Sequence, residues 1–139
     1  MAQDKATFQA LATSRLAEAK VLAERSHPSG AYYLAGYAVE CALKAIIAGQ
    51  FRAHEIPDRV LVNKVYTHNL PELLRLAGLQ DELEERERDT PILKQRWATV
   101  ETWSEASRYA IWSDEVAAAL LDAIDGDENG IFRWLTSLW

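Results

Sequence analysis

The chain has 139 residues, 49% of them hydrophobic and 26% charged, and 15 Lys and Arg stand against 21 Asp and Glu for a net charge of -6. That length fits one domain with a sizeable core, the composition excludes intrinsic disorder, and the acidic balance excludes a broad nucleic-acid footprint while leaving room for a local basic pocket. A single Cys, Cys41, cannot close an intramolecular disulfide, and Met1 to Lys5 lack the basic and apolar regions of a secretory leader, so a cytoplasmic protein is expected. The longest stretch free of Asp, Glu, Lys and Arg, Ser26 to Val39, is shorter than a bilayer span, and no membrane association is expected.

Gly and Pro number only 6 and 4, and long amphipathic stretches dominate. They predict one all-α domain over 1–139, an up-and-down bundle of roughly five or six helices. The first helix runs from Asp4, as N-cap, to Arg25, and His27-Pro28 ends it. Phe8, Leu11, Ala12, Ala19, Leu22 and Ala23 share one face, with Arg15 near its middle. A guanidinium there must snorkel to the edge, meet a carboxylate or meet a ligand.

The second helix, Gly30 to Gly49 after a Ser29 cap, is the most informative segment. Ala31, Ala35, Ala38, Ala42, Ala45 and Gly49 make a seam of small residues that lets a neighbouring backbone come close, beside a bulky stripe of Tyr32, Val39, Leu43 and Ile46. Such a helix is the centre of its bundle or is covered by another subunit. Its one polar stripe, Tyr33, Tyr37, Glu40 and Lys44, is either a solvent-facing strip with an i, i+4 ion pair or the wall of a site.

Phe51 to Thr67 is a long connection that the pattern leaves unplaced. A helix then starts at Thr67 or Asn69, with Pro71 in its first turn and Gly78 at its end. The charge run Asp81 to Asp89 reads as solvated helix or loop. Thr90-Pro91 opens a helix to about Ser107, and Ser113 caps a long C-terminal one in which Val116, Leu120, Ile124, Ile131 and Leu135 stay in phase, a break at Gly126 being the alternative.

His27, His54, His68 and Cys41 have no metal-ligand spacing, and no Gly-rich phosphate loop exists, so no metal or cofactor is expected. Cys41 lies in an apolar helix, where a thiol is an inert packing group. Arg15, Glu40, Lys44, His68, Arg108 and Tyr109 are the polar residues that look out of place; converging at one end of a bundle they would make a cationic pocket with aromatic walls. For His68 the plainer reading is a ring bonded to a nearby carbonyl, and for Arg108 and Tyr109 a loop anchor.

Ala31-Tyr32-Tyr33-Leu34-Ala35-Gly36-Tyr37-Ala38-Val39-Glu40-Cys41-Ala42-Leu43-Lys44-Ala45, then Thr67-His68-Asn69-Leu70, then Trp103 with Arg108-Tyr109 and the ending Phe132-Arg133-Trp134-Leu135, resemble the prokaryotic HEPN domains. The resemblance implies a small helical bundle, frequently dimeric, from a family of nucleotide-binding modules, toxins and defence ribonucleases that commonly work beside a minimal nucleotidyltransferase antitoxin. The ribonuclease branch carries an Arg followed, after four to six residues, by His. Here the corresponding positions before His27, His54 and His68 hold no Arg, so nothing is placed to stabilise a charged phosphorane. The expectation is therefore a homodimeric HEPN-like module that binds a nucleotide, RNA or a nucleotidyltransferase partner through Arg15, Tyr37, Glu40, Lys44, His68, Arg108 and Tyr109. The alternatives are a ribonuclease with a rearranged site using His68 and Arg108, and a structural interaction module.

Overall fold

A computed structural model describes residues 3–139; Met1 and Ala2, at the start of the segment read as lacking a leader, lie outside the described residues. The described residues form an all-α bundle of eight α-helices and one 3-10 helix: α1 Lys5–Glu24, α2 Pro28–Ala48, α3 Arg59–Val65, α4 Leu70–Leu76, α5 Gln80–Asp89, α6 Pro91–Val100, the 3-10 helix Glu105–Tyr109, α7 Asp114–Asp125 and α8 Ile131–Thr136. The helices outnumber the five or six expected because long periodic stretches are cut by local turns.

Asp4 caps α1, its carboxylate accepting from the Thr7 amide at 2.8 Å. Leu22 of α1 lies beside Gly30 and Lys5 beside Gly49, so α1 and α2 run antiparallel. The small-residue seam explains how close they come: Ala31, Ala35, Ala38, Ala42 and Ala45 are all 0% exposed, as are Ala12 and Ala19 of α1. The other sides of α2 pack against α4, the 3-10 helix, α7 and α8, which makes it the central helix within one chain. By length and a mean hydropathy of 1.2, α2 could also cross a membrane, but 78% of that window is buried inside the bundle.

Several boundaries differ from the sequence expectation for identifiable reasons. Ser29 is not the cap of α2; His27 holds that position with Pro28 in the first turn, and the Ser29 hydroxyl instead accepts the Trp112 amide at 2.9 Å, where Trp112 stacks on Tyr32 with ring centroids 4.1 Å apart. Helix α6 stops at Val100, well short of Ser107. The Thr102 hydroxyl donates to the Thr99 carbonyl, Ser104 caps the 3-10 helix, and Trp103 turns inward to 2% exposure. Its indole lies flat on Gly36, where any Cβ would collide with the ring.

The C-terminal stretch takes the broken form. Asp127 folds back to accept the Asn129 amide at 2.8 Å while the Arg96 guanidinium grips its carboxylate with both terminal nitrogens, Nη2 to Oδ2 at 2.7 Å. Arg96 is 8% exposed, so this bidentate clamp ties α6 to the turn between α7 and α8. Within the unplaced connection, α3 forms behind an Asp58 cap and buries none of its residues completely. Asn69 rather than Thr67 caps α4, and Gly78, at φ 75°, ends that segment in a left-handed conformation. The charge run is the solvated helix α5, anchored by buried Leu83.

Candidate functional site

The polar stripe of α2 faces inward. Glu40 is 2% exposed and Lys44 is 9% exposed, positions where an unpaired charge costs several kcal/mol. They pair across one helical turn, Lys44 Nζ to Glu40 Oε2 at 3.3 Å. Asn69 starts α4 beside α2 and sets His68 just ahead of it, so that His68 Nδ1 lies 3.0 Å from both Glu40 oxygens. The opposite nitrogen, Nε2, lies 3.2 Å from Glu105 on the 3-10 helix. Both ring nitrogens thus face carboxylates, and the imidazole bridges α2 to the 3-10 helix. Those carboxylates approach opposite edges of the ring, and among the described residues no three His, Cys, Asp or Glu side chains group to hold a metal ion.

Glu40, Lys44 and His68 of this cluster line a cavity of about 400 Å³, and Glu105 lies outside the lining. Tyr37, Glu40, Cys41 and Lys44 of α2 form one wall, Phe8 of α1 another, and Phe51, Pro57, Val62, Val65 and Tyr66 from the α2–α4 connection close the side opposite. Most of that lining is apolar or aromatic, with Gln3, Glu40, Lys44 and His68 as its polar members, the usual make-up of a small-molecule site. Tyr33 stacks against both Tyr37 and Trp103 at 6.1 Å, so the tyrosine wall is braced from behind. Burial, then the neighbouring Glu40 charge, pushes the Cys41 thiol up to about 11, and burial raises Tyr37 as well.

Four of the sequence candidates thus meet: Tyr37, Glu40, Lys44 and His68. Arg15 stands at the flank and takes the ion-pair course, Nη1 lying 2.7 and 2.6 Å from the two oxygens of Glu18. That pairing holds the guanidinium protonated above its ordinary value. Arg108 and Tyr109 do not line the cavity; the guanidinium lies 5.1 Å over the ring of Tyr109, itself 81% exposed. Glu105 was missed because only the turn after Val100 brings it to His68. The apolar wall was missed because Phe51 to Tyr66 carries no clear period, although its own Val60-Leu61-Val62 run was a signal of a short helix. Arg96, missed as well, serves the fold and not the cavity.

Compared with known proteins, the chain matches no family model, no curated protein and no solved structure.

Proposed function

We propose that the chain is a HEPN-like ligand-binding module that holds a nucleotide-class ligand in the cleft between α1, α2 and α3, without catalysing RNA cleavage. The observation that carries the reading is the buried Lys44 ammonium on the wall of a cavity of about 400 Å³, with Glu40 as its one protein partner among the described residues. An ammonium has three donors, so two remain for an acceptor on a bound molecule. The aromatic faces of Tyr37, Tyr66, Phe8 and Phe51 suit a planar ring, and the volume suits one nucleoside-sized molecule. The non-catalytic part is supported at His68, which has a carboxylate on each side where phosphoryl chemistry would want a cation.

The test is thermal unfolding with a panel of bases, nucleosides and nucleotides, followed by calorimetric titration of those that raise the midpoint. Binding that survives in wild type and disappears in Lys44→Met is expected. A panel in which no compound shifts the midpoint overturns the reading.

Assembly belongs to the same proposal. Ala17, Val21, Leu22 and Leu34, with Glu18 beside them, line a shallow, largely apolar groove between α1 and α2, in which Val21 is 56% exposed. Following the resemblance to a frequently dimeric family, we take the occupant of that groove to be a second copy of the chain.

A further inference from the structure

We propose that the cleft selects uncharged nucleosides and free bases bearing a ring carbonyl over their phosphorylated forms; this rests on the nucleotide-class reading of the cleft and narrows its substrate class. Among the described residues Lys44 is the one lysine or arginine that lines the cavity, and Glu40, 3.3 Å away, already neutralises it. His68 is shared between Glu40 and Glu105. Arg15 is committed to Glu18 and Arg52 faces Glu55, while Lys5 and Lys64 on the neighbouring helices are exposed and stay off the lining. With a protonated ring, the charges of Glu40, Lys44, His68 and Glu105 cancel; with a neutral ring they leave a single negative charge.

A phosphate chain entering such a site brings several negative charges into a largely apolar cleft whose lining, among the described residues, holds no uncommitted cation. Desolvation and repulsion from Glu40 and Glu105 both oppose it. A neutral ring asks for less. Its carbonyl oxygen accepts from the unused N–H groups of Lys44, and its faces lie against Phe8, Phe51 and Tyr66.

Calorimetric titration of the full chain with guanosine, uridine, their monophosphates and their triphosphates reads the order directly. Each nucleoside is expected to bind at least tenfold tighter than its triphosphate, with the monophosphate between. Glu105→Gln removes one negative charge beside His68, just outside the cavity lining, and is expected to shrink the ratio threefold or more. Triphosphates binding tighter than nucleosides overturn the selectivity and leave the nucleotide-class reading standing. No binding by any member overturns both, and an unchanged ratio in Glu105→Gln overturns the electrostatic origin of the selectivity.

Discussion

Cys41 shares a wall with Lys44 and Glu40, yet its thiol is held near 11 by burial and by the adjacent carboxylate, so little thiolate exists at neutral pH. Alkylation by iodoacetamide at pH 8 is therefore expected to be slow in the folded chain and fast in urea; prompt labelling of the native protein would contradict the placement. Glu40 carries more of the structure. It is the partner of both Lys44 and His68, so Glu40→Ala leaves a buried ammonium uncompensated and is expected to destabilise the fold by about 3–5 kcal/mol in urea unfolding. The Arg96 guanidinium, helped by the Asn129 amide, pulls the Asp127 carboxyl from its ordinary 3.8 down to about 2. A carboxyl depressed in the folded state stabilises above its unfolded value and loses that contribution as pH falls through its folded one. Wild type should thus lose stability between about pH 4 and about pH 2 that Asp127→Asn lacks already at pH 7, measured as urea midpoints across that range.

Among the elements, α2 was the most legible and α3 the least. The spacing of alanines along α2 names the face on which another backbone can approach; α1 packs against α2 and buries its own Ala12 and Ala19 completely. Its opposite side is completed by Trp103, whose ring occupies the space over Gly36. Gly36→Ala is expected to cost roughly 1–3 kcal/mol through overpacking, with a change in Trp emission on the folded baseline. Helix α3 had no such signal. It buries no residue fully and turns Val62 and Val65 toward the cavity, so the Val60-Leu61-Val62 run suggests a turn of helix but gives no period that would place it. The break after Val100 was likewise hidden, and the one after Asp125 was legible only as an alternative at Gly126, because the helical phase continues across both. What stops each helix is a side chain reaching outside its own segment: Trp103 to Gly36 in one case, Arg96 to Asp127 in the other.

Across the whole molecule, a bundle with one apolar helix at its centre still leaves a groove on its α1–α2 face. With a second copy seated there, light scattering on purified protein should give the mass of a dimer, and Val21→Glu, which puts a charge into the groove, should give a monomer with an unchanged helical spectrum. A monomeric wild type at micromolar concentration would remove the dimer from the proposal. The all-α class, the caps at Asp4 and Ser113, and the i, i+4 pairing of Glu40 with Lys44 were legible in the sequence, because each depends on residues within a few positions of one another, whereas Asn69 was one of two candidate caps and the central place of α2 one of two readings. Whether the polar stripe of α2 met solvent or a site was decided only by tertiary structure. That outcome depends on distant segments: His68 arrives before α4, Glu105 on a turn behind Trp103, and Tyr66 at the end of α3. The same long-range packing left Arg108 and Tyr109 outside the cavity, since spacing along a chain ranks residues by type and says nothing of where a turn will point them.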